Sequence, residues 1–188
     1  MLTLVTAPVP LRGPVTVDEL KDWSRIDHSD DDRVIADLLT AVTREAEQYT
    51  QRAFLTQTWN WTADGFASLV RVPLGELQTV VSITYVDVDG ATQTVTSTVY
   101  RVDSTTEPGR ITLANNQSWP TADSVTNAVT LQFTAGYGVE TAVPQQIKQA
   151  ILAGAAHRYA CREAGNSDAM YAMLSTYRLW NADVGAMA

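Results

Sequence analysis

A chain of 188 residues with 45% hydrophobic and 18% charged side chains is long enough to bury roughly 70% of its unfolded surface without a metal or disulfide staple. Its formal charge of −8 argues against broad wrapping of nucleic acid, which needs a basic face. The single cysteine, Cys161, excludes an internal disulfide, and no stretch approaches the ~20 uninterrupted apolar residues of a membrane span.

The opening MLTLVTAPVPLRGP is proline-broken and lacks a basic lead-in, so residues 1–15 read as an extended arm rather than a signal peptide. Thr16-Val17-Asp18-Glu19 has the capping-box pattern, and a short helix follows to about Arg25, with Leu20 and Trp23 on one side. Ser29 offers a second N-cap, and Asp30, Asp31 and Asp32 suit the positive end of a helix dipole. Val34, Ile35, Leu38, Leu39, Val42, Ala46 and Tyr49 then recur at steps of three and four, which predicts a long helix to about Arg52.

At Phe54 the period changes. Gln57 to Thr62 alternates aromatic and polar residues, placing Trp59 and Trp61 on one sheet face. Val81, Ile83 and Tyr85 alternate with Ser82 and Thr84 before an Asp89-Gly90 turn, with a weaker return strand from Ala91 to Val95. Tyr100 and Val102, Arg110 to Leu113, and Val129, Leu131 and Phe133 mark further strands. Residues 54–142 therefore read as an antiparallel β insert. Pro144 suits the first turn of a helix, which runs from Gln145 to about Glu163 with a centre (Ala150 to Ala156) rich in small residues. Gly165-Asn166 breaks it and Ser167 caps another helix, whose stripe is Met170, Met173, Leu174 and Tyr177. The fold class is α+β: two N-terminal helices (16–53) and two C-terminal helices (143–180) form a helical core around the inserted β subdomain, and 181–188 is a tail.

The chemistry-bearing residues are sparse. Asp27 to Asp32 fails as a calcium loop, because its sixth position is Asp32 instead of glycine and its twelfth is Leu38 instead of Glu; helix capping accounts for it. His28 and His157 show no metal-ligand spacing, Cys161 has no flanking nucleophile motif, and no phosphate-binding glycine loop precedes a helix. The pattern implies no catalytic residues, no metal and no cofactor. The arm, the small-residue helix and the Met/aromatic stripe instead suit a subunit of an assembly.

Leu20 to Trp59 (LKDWSRIDHSDDDRVIADLLTAVTREAEQYTQRAFLTQTW), with its aspartate-rich link, its Glu-x-Tyr-Thr-x-Arg helix end and its Thr-Gln-Thr-Trp strand, resembles the opening of tailed-phage head–tail connector (adaptor) proteins of the gp6-like, phiE125 gp8-type family. The likeness continues through Val80 to Val95, Tyr100 to Asp103, Trp119-Pro120, Ala128 to Gly138, Val143 to Ala164 and Leu174 to Arg178. Pro73-Leu74-Gly75-Glu76 departs from it, since relatives often carry a more proline-rich link there.

The resemblance implies a structural virion protein, made in the host bacterial cytoplasm. Such a protein forms a homo-oligomeric ring, commonly of twelve copies, under the portal protein. The ring would extend the DNA channel, dock the stopper or tail-completion protein, and let double-stranded DNA pass without specific binding. It further implies Ile147, Ile151, Gly154, Ala155 and Tyr159 as candidates for helix packing within or between subunits (the candidate subunit interface), and Leu179, Trp180, Asn181, Val184 and Met187 as candidates for portal contact. A stopper or another tail-completion protein is the alternative within the virion. A small enzyme or ligand-binding domain is the alternative outside it.

Overall fold

The computed structural model describes residues 1–8, 13–66, 69–161 and 168–179. It divides the chain into two compact units, neither of them continuous in sequence.

The helical unit takes residues 8–56 and 137–178. Its first helix, α1 (Val17–Ser24), opens on the expected capping box: the Thr16 hydroxyl accepts the Glu19 N–H at 3.1 Å, and Glu19 accepts the Thr16 N–H at 2.6 Å. The helix ends on Arg25 in the left-handed region (φ 56°). Only one of the two residues expected on its inner side is buried. Leu20 is fully enclosed, while Trp23 is 52% exposed, because a two-turn helix offers one buried edge.

Helix α2 (Asp32–Thr50) buries Ile35, Leu39, Val42, Thr43, Ala46, Glu47 and Thr50. Val34, expected in that stripe, is 51% exposed. Ser29 does not cap this helix. Its carbonyl accepts the Asp32 N–H in a preceding turn, and Asp31 takes the N-cap position without a capping side-chain bond.

Helix α3 (Gln145–Cys161) starts where Pro144 predicts, with the Pro144 carbonyl accepting from Ile147 and Lys148. It buries Ile147, Ala150, Ile151, Leu152, Gly154 and Ala155. Its small centre has a visible cause: a Cβ on Gly154 would stand 2.7 Å from Met170 Sδ and 3.0 Å from Val42 Cγ1. Helix α4 (Asp168–Leu174) inserts Met170 and Leu174 into the same core. The expected break at Gly165-Asn166 and cap at Ser167 lie outside the described residues.

The β unit takes residues 1–7 and 57–136, with Leu179. The N-terminal arm is put to use here. Strand β1 (Leu2–Thr6) pairs antiparallel with β2 (Gln57–Ala63), setting Leu2 opposite Trp61 and Leu4 opposite Trp59. The remaining strands are β3 (Leu69–Arg71), β4 (Leu77–Val86), β5 (Thr92–Thr94), β6 (Tyr100–Asp103), β7 (Arg110–Leu113) and β8 (Val129–Ala135). Three residues are too few for alternation to show, so nothing in the sequence pattern singles out β3. A five-stranded sheet runs β1-β2-β8-β4-β5 and a three-stranded sheet runs β3-β7-β6.

Register makes the large sheet two-faced. Trp59 opposes Phe133, Trp61 opposes Leu131, and Ile83 opposes Leu131 from the other side, so the apolar side chains share one face. Trp61, Ile83 and Leu131 line an apolar cavity together with Ile111 of β7, Phe66 and Trp119, and the inner faces of the two sheets meet there. Phe66 stacks on Trp119, with 4.9 Å between centroids.

Candidate assembly interface

The Glu-x-Tyr-Thr-x-Arg end of α2 proves to be a structural lock. Glu47 is 9% exposed; it accepts the Phe54 N–H at 2.9 Å and pairs with Arg44 at 2.9 Å. The Tyr49 ring lies 4.8 Å from that of Tyr171, under the guanidinium of Arg178 at 5.0 Å. The Thr50 hydroxyl donates to the Ala46 carbonyl at 2.8 Å, and Arg52 Nε donates to the Tyr177 carbonyl at 2.6 Å. Each named position therefore fastens the end of α2 to its own turn or to the C-terminal segment.

A residue outside that motif ties three helices together. Glu45 of α2 accepts from Arg158 of α3 and from the Tyr171 hydroxyl of α4. The bond to Glu45, then burial and the negative charge, push the Tyr171 phenol up to about 12. The apolar stripe that predicts α2 does not include Glu45, and no sequence motif singles the residue out. Its signal was a carboxylate one turn before Tyr49 on a helix whose partners bring an arginine and a tyrosine. Asp31 plays a similar part, accepting from Tyr159 at 2.6 Å.

These contacts decide where the implied interface residues stand. Ile147, Ile151 and Ala155 are 0% exposed and Gly154 is buried, so within one chain all four are enclosed in the helical unit's own core. A side chain already enclosed offers a neighbour little new area to bury. Tyr159 is half-buried, its hydroxyl on Asp31. Of the implied portal contacts, Leu179 is half-buried; Trp180, Asn181, Val184 and Met187 lie outside the described residues.

No strand of the large sheet contains a Lys, Arg, His, Asp or Glu. Its outer face carries Thr58, Asn60, Thr62, Thr79, Ser82, Thr84, Thr130, Gln132 and Thr134, joined by cross-strand bonds such as Thr79 to Thr134 at 2.7 Å and Gln132 to Asn60 at 3.1 Å. The β unit's charges lie in the turns and the small sheet. At one end of the large sheet stand Asp64, Asp87, Asp89 and Asp123: Asp64 accepts the Asn127 N–H, the Asp123 N–H binds the Val86 carbonyl, and Asp87 closes the turn to Ala91. Hydrogen bonds from Gln93 and the turn amides lower the Asp87 pKa. In the small sheet Asp103 accepts from Thr105, Arg110 and Thr106, which hold its carboxyl far below the usual carboxylate range.

Among the described residues no three His, Cys, Asp or Glu side chains stand together as a metal site, and no helix is long and apolar enough to cross a membrane. His157 and Cys161 are exposed on α3, 3.8 Å apart.

A helical unit with an interlocked C-terminal segment, joined in one chain to a two-sheet β unit, makes this an α+β fold. Three solved structures share it along the whole chain. The neck of an empty gene transfer agent particle computed with C6 symmetry matches at TM-score 0.81 and 24% identity, covering 100% of both chains. The virion of a native gene transfer agent particle matches at 0.81 and 24%, covering 98% of both. The neck of the native particle computed with C12 symmetry matches at 0.79 and 23%, covering 100% of both. At these identities the likeness is one of fold. No curated protein matches the chain. The sequence model of the phage gp6-like head-tail connector proteins matches residues 14–105, just under half of the chain, and over that span the chain is similar to this family. The matched region runs from the turn before α1 to the end of β6, so it takes in the capping box, the α2 lock and most of the large sheet.

Proposed function

We infer that the chain is a structural component of a phage-like virion neck, a head–tail connector acting as a ring-forming adaptor between portal and tail. The observation that carries this reading is the family match over residues 14–105. The end-to-end agreement with neck proteins solved under C6 and C12 symmetry supports a cyclic assembly, probed first at twelve copies.

The adaptor's work is mechanical. A subunit repeated around an axis extends the portal channel and presents a new docking surface to the stopper or tail-completion protein. Its parts suit such work, since helices locked by Glu45 and Arg52 resist shear, and a charge-free outer sheet face gives passing DNA no cation to hold it. Of the interface candidates, Tyr159 keeps accessible surface for a neighbour, and Leu179 leads to the implied portal-binding segment. The membrane and cofactors have no part in this mechanism.

Electron microscopy of the purified protein, alone and mixed with portal from the genome that encodes it, tests the reading. Rings, alone or on the portal, are the expected result. A subunit that stays monomeric and ignores the portal overturns it.

A further inference from the structure

The β unit has three cationic side chains, Arg71, Arg101 and Arg110, and all three lie on the small sheet. Register puts them on one face. Arg71 opposes Arg110, which opposes Asp103; two positions along, Arg101 opposes Thr112. The intervening row contains Ile111, fully buried toward the large sheet, so the arginine face is the outer one. Arg71 and Arg101 are exposed, and the Arg110 side chain is 41% exposed beside Asp103. One end of the large sheet has the opposite sign. Its four aspartates, Asp64, Asp87, Asp89 and Asp123, come with no Lys or Arg from the turns that carry them, and Val88 (67%) and Val125 (44%) stand exposed among them.

We propose that the outer arginine face of the small sheet is a docking face for a second copy of this chain, which enters with the aspartate-bearing end of its own large sheet. The proposal rests on the ring reading above. A cyclic ring uses two different patches on every subunit, each meeting the other's counterpart on the next copy. One β unit carries both signs on separate surfaces, and a partner with the required charge is thus present in every copy. Such complementarity sets register and excludes wrong partners more than it adds affinity. The exposed Val88 and Val125 of the same turns add apolar contact. DNA is the weaker occupant: three cations, one of them bonded to Asp103 at 2.7 Å, release few counterions from a duplex.

Charge reversal tests it. Arg101→Glu and Asp89→Lys are made singly and together, with thermal melts to confirm that each folds. Ring formation, alone or on the portal, is scored by electron microscopy and sedimentation at low and high salt. Each single change should weaken ring association at least about tenfold at low salt and less at high salt, and the pair should regain most of the loss. Singles that assemble like the parent, or a pair worse than either single, overturn the proposal. So does an Arg101→Glu ring that assembles normally but retains less DNA, which would make the face a polyanion contact. A parent chain that never forms rings overturns the ring reading and the docking face with it. That result is recognised without any variant.

Discussion

The two units solve the placement of charge in opposite ways. In the helical unit ionised side chains reach between elements: Glu45 bridges α2 to α3 and α4, Arg52 crosses to the Tyr177 carbonyl, and Glu47 holds the chain turning after α2. In the β unit the large sheet's strands hold no charge, and ionised groups sit in turns or on the small sheet. The difference follows from the connections each element can make. A helix satisfies its own backbone, so its position against a neighbour is set by side chains, and long polar ones can fix it. A strand is fixed by its neighbour's backbone, and its side chains need only alternate correctly. One unit is pinned by particular residues, the other by register.

Truncating the two cores should have the largest effect and fall on both units alike. Phe133→Ala, at the centre of the large sheet, is expected to cost about 3–5 kcal/mol, and Ile151→Ala in α3 about 2–5 kcal/mol, both read from urea unfolding. A glycine in each unit sharpens the contrast. A Cβ at Gly109 would sit 2.5 Å from Leu77 Cδ2 and 2.7 Å from its Cβ, an atom tied to the β4 backbone. At Gly154 the close atom is the flexible Met170 sulfur, and alanine also gains about 1 kcal/mol of helix propensity. Gly109→Ala should therefore lose about 1–3 kcal/mol, while Gly154→Ala stays within about 1 kcal/mol of the parent. Glu45→Ala, which strands Arg158 and Tyr171 together, should cost about 1–3 kcal/mol and lower the protection of α4 amides in hydrogen exchange. Thr130→Val on the outer sheet face should change stability by about 0.5 kcal/mol or less, because its neighbours there fix nothing that register has not already fixed.

Titration separates the units as well. Tyr171 has a folded pKa raised to about 12 from 10.0, so its bond to Glu45 contributes fully below pH 10 and is lost as pH rises from there through about 12. Unfolding midpoints should fall over that alkaline window, and Tyr171→Phe should flatten the fall. Asp103 has a depressed pKa, so its turn contributes above about pH 4 and weakens as acid is added below it. Asp103→Asn should remove that acid sensitivity from the small sheet and leave the alkaline limb unchanged.

Much of this architecture was legible from the sequence, and the reasons differ by element. The capping box at Thr16 and the alternation from Val129 to Phe133 are local signals, and both elements stand where they predict. The Trp59 and Trp61 pattern gave the face correctly because strand geometry leaves no other arrangement. Ser29 misled because three aspartates follow it, and a Ser–Asp run can build a turn as readily as a helix start. The small residues of α3 suit close packing within or between subunits, but composition cannot say what packs there; within the chain the side chains of Met170 and Val42 do. The hub role of Glu45 was invisible for a related reason, since its partners lie 113 and 126 positions away. Likewise the three arginines are spread over about forty positions of sequence, and only β-pairing gathers them on one face.

The way the chain passes between its units has a consequence for how it must be made and handled. Strand β1 is translated first but pairs with Trp59 and Trp61, while the centre of its sheet, β8, comes about seventy residues later still. At about 5–20 residues per second, the opening strand waits seconds for its neighbours. The helical unit waits too, because the residues that enclose α2 are those of α3 and α4. Neither unit can therefore be obtained by cutting out a contiguous stretch. A fragment bounded at residues 14 and 105 would keep the family's signature and lose β1, β7, β8 and both C-terminal helices. It would expose Phe133's partners on one side and Leu39 and Val42 on the other. Pieces of this protein should aggregate where the whole chain folds.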